Sequence, residues 1–221
     1  MAQERIIYFT NDIDGVHRVG YSPITAWRLL KGDLKLPPIG EYIPSYRHKR
    51  NILSQLGREF SLLFHRLRPG IREAKAGLEE FISIAKWNER PLRTALLSGR
   101  EPYKHELTRR QFTGYSGLLD EMFLNEGGSS VGWKEYKTRE LVGQGYSVVH
   151  IDDDLRAGLC MARVNAELDE PRVFVYVLRN FSNLTWLVRR TKLQMPSNLL
   201  IVPSFFAAAQ DFEQRLQSKK I

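Results

Sequence analysis

Two acidic runs stand where their carboxylates could work together. Asp12-Ile13-Asp14-Gly15-Val16 follows the β-branched and aromatic stretch Arg5 to Thr10, and Asp152-Asp153-Asp154 follows the apolar stretch Tyr146 to Ile151. Carboxylates at the ends of two strands that a parallel sheet sets side by side supply hard oxygen ligands. A hard cation held beside a carboxylate pair suits phosphate chemistry. Either run alone would serve as well for a turn or a helix cap, so the weight lies on their combination.

The elements that must position them alternate between strand and helix, which predicts an α/β domain with a Rossmann-like, doubly wound, mostly parallel sheet. Strand patterns run over 5–10, 92–97, 120–124, 146–151, 172–178 and 199–202. Helical patterns run over 71–87, from Pro102 through Phe112, over about 132–142, after the second acidic run, and from Ser204 to about Leu216. The regularity breaks between residues 17 and 67. A short helix is predicted to open at Ser22-Pro23, Pro37-Pro38 interrupts, and a longer helix is predicted from about Ser45 to Leu67. In that longer helix Ile52, Leu53, Leu56, Phe60, Leu63, Phe64 and Leu67 recur at three- and four-residue spacing, which predicts one buried face. The expected organisation is a core built from 1–16 and 68–221, with 17–67 inserted as a small helical cap.

A chain of 221 residues is long enough for a substantial core and one such insertion. No apolar run approaches the roughly 20 residues needed to cross a bilayer. The first strand begins too early for a signal peptide to precede it, so a cytoplasmic protein with no membrane partner is expected. The single cysteine, Cys160, sits in an apolar helical pattern and excludes an intrachain disulfide or a thiolate metal site. The net charge of +8 is unevenly spread. Between Pro44 and Arg72 seven basic residues, among them Arg47, Lys49 and Arg50, face Glu59 alone. A second basic stretch, from Arg172 to Lys192, has no acid. Such clusters fit a polyanionic partner such as nucleic acid, an anionic small substrate drawn toward an acidic pocket, or simply a solvated helix face. The five histidines show no ligand spacing, and His150 reads as a structural residue inside its strand.

Four features in order, namely the strand ending in Asp12-Ile13-Asp14-Gly15-Val16, the strand ending in Ser98, a lysine opening a later helix, and the strand ending in Asp152-Asp153, resemble the haloacid-dehalogenase-like superfamily over nearly the whole chain. The resemblance implies an Mg²⁺-dependent phosphohydrolase acting on a phosphate monoester. Asp12 would be the nucleophile that forms an aspartyl-phosphate, and Asp14 the acid and then the base. Ser98, Gly99 and Arg100 would meet the phosphoryl group, and Lys134 or Lys137 would hold it against the nucleophile. Lys134 stands nearer the start of its helix. The metal ligands would be Asp12, Asp14, Asp152 and Asp153, with Asp153 on the metal and Asp152 beside it, while Asp154 caps the next helix. The insertion falls where the family places its first type of cap, a lid that reads the substrate, and Arg47, Lys49 and Arg50 are its candidate anion-binding surface.

The chain departs from the family pattern in one place, Thr10 and Asn11, where relatives stay apolar. The wording Ser98-Gly99-Arg100 and Ile151-Asp152-Asp153 also resembles the phosphatase modules of polynucleotide-end-processing enzymes, so a nucleic-acid end joins small phosphate esters as an expected substrate. A phosphotransferase would use the same residues. In a different class, the fold could serve as a nucleic-acid or protein binding module with vestigial catalysis.

Overall fold

The computed structural model describes residues 5–14, 16–17, 42, 52–67, 70–179, 195–218 and 220–221. Arg47, Lys49, Arg50, Gly15, the Ser22-Pro23 segment and most of the second basic stretch lie outside these residues. The described elements in chain order are β1 (Ile7–Asn11), α1 (Ile52–Leu67), α2 (Arg72–Trp87), β2 (Leu92–Ser98), α3 (His105–Gln111), β3 (Glu121–Leu124), α4 (Ser130–Gly143), β4 (Ser147–Asp152), α5 (Leu155–Ala162), β5 (Val173–Leu178), β6 (Leu199–Val202) and α6 (Phe205–Gln217). One turn of 3₁₀ helix, Pro102–Lys104, leads into α3, where the sequence pattern predicts a single helix from Pro102.

The six strands form one sheet in the order β3-β2-β1-β4-β5-β6, and every neighbouring pair is parallel. This is the Rossmann-like α/β fold. Strands covered on both faces read as nearly continuous apolar runs, as β5 does, while β1 and β4, buried throughout, carry Thr10, Asn11, His150 and Asp152 toward their carboxyl ends. The order of strands reverses at β1, between β2 and β4. In an open parallel sheet the crevice beyond the carboxyl ends at that reversal is where a ligand is received.

Alternation along the strands assigns the two faces. Ile7 and Phe9 of β1, with Val149 and Ile151 of β4, face α2 and α6, where Leu78, Phe81, Phe205, Ala208 and Phe212 complete an apolar core. Phe9 and Phe81 stack with ring centroids 4.1 Å apart. Tyr8 and Val148 face the other way, toward Trp133 and Leu141 of α4 and Leu155 and Leu159 of α5. Thr10 and His150 continue this second face. Asp154 caps α5 through a bond from the Arg156 N–H (2.9 Å), and Ser204 caps α6 through a bond from the Ala207 N–H (3.1 Å). Cys160 is fully buried, as its pattern predicts.

The helix α1 differs from expectation. Leu56, Phe60, Leu63 and Leu67, four of the positions predicted to be buried, are 51 to 72% exposed. Periodicity shows that a helix has an apolar face but not how deeply that face is buried, and among the described residues the two faces of the sheet are covered by α2, α6, α4 and α5. Among the described residues, no helix is long and apolar enough to cross a membrane.

Candidate active site

Asp12 is the first residue beyond β1, and its backbone N–H donates to the Ile151 carbonyl (3.0 Å), which extends the β1–β4 pairing by one step. That single bond sets Asp12 beside Asp152 at the carboxyl edge of the sheet. From α4, the Lys134 ammonium reaches both carboxylates, at 3.1 Å from Asp12 Oδ1 and 2.7 Å from Asp152 Oδ2. All three side chains are buried or nearly so. Lys137, the other lysine of the helix, bonds Glu140 (2.6 Å) and lies 4.2 Å from the centre of the Phe123 ring. Of the two lysines left open by the sequence, Lys134 is the one that meets the acidic residues.

Asp152 accepts three hydrogen bonds. Its Oδ2 accepts from Lys134 and from His150 Nε2 (2.9 Å), and its Oδ1 accepts from the Asp154 N–H (2.9 Å). Burial alone would favour its protonated form, but Lys134 and His150 outweigh burial and hold the carboxyl well below the usual range. Its neighbour Asp153 behaves in the opposite way. Burial, followed by the charges of Asp152 and Asp12, raises it well above an ordinary carboxyl. Asp12 is raised to about 7, first by burial and then by Asp152 and Asp14, with Lys134 pulling against them. Lys134 is held above the usual lysine range because Asp12 and Asp152 overcome the cost of its burial.

Asp12, Asp152 and Asp153 bring one carboxylate oxygen each within 4.8 Å of one another. Three carboxylates against one ammonium leave the cluster short of positive charge, and its donors are all hard oxygens. This set suits Mg²⁺ or a similar hard cation, not a metal that prefers nitrogen or sulfur. Asp14 does not join the cluster. Its carboxylate receives two bonds from the Arg100 guanidinium, Nη2 to Oδ1 at 2.7 Å and Nε to Oδ2 at 3.1 Å. Arg100 is itself buried, and its Nη1 donates to Thr108 Oγ1 (3.1 Å) and Gln111 Oε1 (2.8 Å) of α3. Arg100, read from sequence as a phosphate contact, therefore spends its fork on Asp14 and α3 in this structure.

Ser98 ends β2 fully buried, and its Oγ accepts from the Arg100 N–H (3.1 Å). Gly99 is explained by a neighbour that the sequence reading did not foresee: a Cβ there would lie 1.7 Å from Ser130 Oγ, so the glycine lets the first turn of α4 close on the loop. Asn125 ties the same loop together. Its side chain donates to the Gly99 carbonyl (3.2 Å) and accepts from the Gly127 N–H (3.0 Å) and from Tyr42 Oη (3.0 Å).

Thr10 and Asn11, the departures from the family pattern, each have a partner. Thr10 Oγ1 lies 2.8 Å from His150 Nδ1, and Asn11 donates to the Ala95 carbonyl (3.0 Å) while its Oδ1 meets His17 Nε2. His17 in turn lies 3.2 Å from Tyr115 Oη, and its backbone accepts from the Ile71 N–H (2.8 Å). Asn11 thus fastens the segment that leaves β1 after the first acidic run. The signal for all three residues was on view as polar side chains inside buried strands, where each must have a partner.

No protein-family model matches the chain, and no curated protein matches it. Among solved structures it is similar to a HAD family hydrolase from Deinococcus radiodurans R1, crystallised with bound phosphate and sodium. The identity is 14%, the match covers 97% of this chain and 98% of that one, and the TM-score is 0.46. Similarity at this level does not assign a function, which rests on the site itself.

Proposed function

We propose that the protein is a Mg²⁺-dependent phosphohydrolase of the haloacid-dehalogenase-like kind, acting on phosphate monoesters through a phosphorylated Asp12. The observation that carries this reading is Lys134, which ties Asp12 to Asp152 across the strand reversal, beside Asp153. A nucleophilic carboxylate needs a cation to offset its repulsion from a phosphoryl group, and these residues offer one fixed ammonium and a place for a second positive charge. Asp12, Asp152 and Asp153 would hold Mg²⁺, whose charge would offset that of the phosphoryl oxygens.

One oxygen of Asp12 attacks phosphorus in line. The new P–O bond forms as the bond to the leaving alkoxide or phenoxide breaks, which splits one difficult displacement into two easier ones. Lys134 favours the ionised form of Asp12 and fixes its direction. Asp14 supplies the proton to the leaving oxygen and then accepts one from the water that cleaves the acyl-phosphate. Both oxygens of Asp14 are engaged by Arg100, so this role requires the pair to open. A guanidinium released in that way is free to meet a phosphoryl oxygen in fork geometry. Ser98 and the amide groups of its loop close the other side of the site.

The test is hydrolysis of an aryl phosphate by wild type and Asp12→Asn, with Mg²⁺ and with a chelator. The expected result is turnover that needs the metal and is lost in the variant. Turnover by the variant near the wild-type rate, or turnover indifferent to the chelator, contradicts the reading.

A further inference from the structure

Thr10 and His150 are direct partners across the β1–β4 pairing, each inside a buried strand and each fully buried. Two polar side chains placed opposite one another at the centre of a parallel sheet are costly to leave unpaired. Here they are joined to each other, and through His150 to the acidic cluster. An ionised Asp152 can only accept hydrogen bonds, so the bond from His150 Nε2 (2.9 Å) places the ring hydrogen on Nε2. On a neutral ring Nδ1 is then an acceptor, and the hydroxyl of Thr10 (2.8 Å) is the group that donates to it.

The bonds therefore form one directed series. Asp152 fixes the tautomer of His150, Thr10 holds the opposite nitrogen of the ring, and His150 in turn holds Oδ2 of Asp152. That same oxygen holds the Lys134 ammonium at 2.7 Å, and Lys134 meets Asp12 at 3.1 Å. Thr10, His150, Asp152 and Lys134 all lie on the α4 side of the sheet, so the series crosses no backbone. We infer that Thr10 and His150 are positioning residues, a buried pair that aims Asp152 and Lys134 and so sets the alignment of the nucleophile Asp12 and the cation beside it. The inference rests on the phosphohydrolase reading for what is being aligned. The bond pattern itself does not depend on that reading.

A pair that only satisfied buried polar groups would affect stability and nothing else, and the experiment separates the two roles. Wild type is examined by long-range ¹H–¹⁵N NMR of the His150 ring. Thr10→Val, which keeps the shape but loses the hydroxyl, is compared with Thr10→Ser, which keeps the hydroxyl. For each, Mn²⁺ affinity is titrated by electron paramagnetic resonance, and kcat and KM are measured on an aryl phosphate with Mg²⁺. The expected results are an Nε2–H tautomer in wild type, and for Thr10→Val a fall of about 10-fold in kcat and in Mn²⁺ affinity with little change in KM. Loss of a group that orients a metal ligand typically costs about 10- to 100-fold in metal affinity or activity. Thr10→Ser should recover most of both. If Thr10→Val fails to fold, His150→Gln, which keeps an N–H donor toward Asp152, replaces it and should retain more kcat and Mn²⁺ affinity than His150→Leu.

An Nδ1–H tautomer in wild type, or a Thr10→Val protein that melts lower yet keeps wild-type kcat and Mn²⁺ affinity, overturns the inference. A wild type that binds Mn²⁺ but turns over no ester would defeat the phosphohydrolase reading alone, and the Mn²⁺ and NMR results would still judge the pair. A wild type that neither binds Mn²⁺ nor turns over removes the site, and the positioning role with it.

Discussion

The two faces of the central strands β1 and β4 are built on different principles. Toward α2 and α6, Ile7, Phe9, Val149 and Ile151 pack against aromatic and aliphatic side chains, and contact area is what holds them. Toward α4, the same two strands pass from Tyr8 and Val148 to Thr10, His150 and Asp152, and directed bonds ending on Lys134 take over. Non-directional packing holds a strand in place, whereas a hydrogen bond to a charged group also fixes where an atom points. The division lets one sheet be stable on one side and aimed on the other.

The sharpest way to break this comparison is to remove the cation of the polar face. Lys134→Met leaves Asp12 and Asp152 buried without their fixed counter-charge, beside half-buried Asp153. Loss of one partner from a buried pair costs about 3 to 5 kcal/mol, so chemical denaturation should show a loss of that order, and phosphatase turnover should disappear. A stable Lys134→Met protein with near wild-type turnover would mean that the polar face is ordinary core.

Asp14→Asn is the next largest effect and sharpens the assignment of the acid. Turnover should fall by about 10²- to 10⁴-fold for alkyl phosphates with poor leaving groups and far less for nitrophenyl phosphate, which departs without a proton. A loss that is equal across leaving groups would assign Asp14 only its pairing with Arg100.

The matching change on the apolar face is Phe81→Ala. It removes the ring stacked on Phe9 and should cost about 3 to 5 kcal/mol in denaturant titrations. Specific activity measured per folded molecule should stay unchanged. If kcat falls as well, the two faces are coupled and the contrast between them fails.

The smallest expected effect is on the pH dependence of stability without divalent cation. Asp12, raised to about 7, and Asp153, shifted in the same direction, bind protons more readily in the folded chain than in the unfolded one. Their contribution is complete below the ordinary carboxyl pKa and is lost as pH rises through the folded values, whereas Asp152 shifts the other way and loses its contribution only in strong acid. Buried His150, whose pKa burial lowers, works against Asp12 and Asp153 up to the ordinary histidine value, so the melting temperature of the metal-free protein should decline above that value, from about pH 7 to about pH 8. Mg²⁺, which competes with those protons, should raise it more at the upper end. A melting temperature that rises over this interval, or an equal Mg²⁺ effect at both ends, would contradict the charge state drawn for the cluster.

Much of this arrangement was legible in the sequence. The strands that end in Asp12, Ser98 and Asp152 are apolar runs stopped by polar residues, and a parallel sheet leaves few ways to set such ends apart. The choice between Lys134 and Lys137 was not legible, because residues three apart share much of a helix face and only the rotation of α4 against the sheet separates them. Thr10 and Asn11 looked like departures, and the link from His150 to them was not visible, because their partners lie on another strand or beyond a turn, and one strand's pattern does not contain its neighbour's register. The fork of Arg100 on Asp14 was not legible either, because nothing local to Arg100 announces a partner 86 residues away. Nor was the exposure of Leu56, Phe60, Leu63 and Leu67 on α1 legible, because an apolar pattern does not contain the packing of the helix that carries it.

The central claim is that Asp12 carries the phosphoryl group. Its most direct test is rapid acid quench of the enzyme during turnover of an aryl phosphate with Mg²⁺, followed by mass spectrometry of the peptide that spans Asp12. The account predicts a peptide heavier by one HPO₃ group, with the modification on Asp12 and sensitive to hydroxylamine, and its absence in Asp12→Asn. Turnover without phosphorylated Asp12 at any quench time, or phosphorylation on another residue, would contradict it.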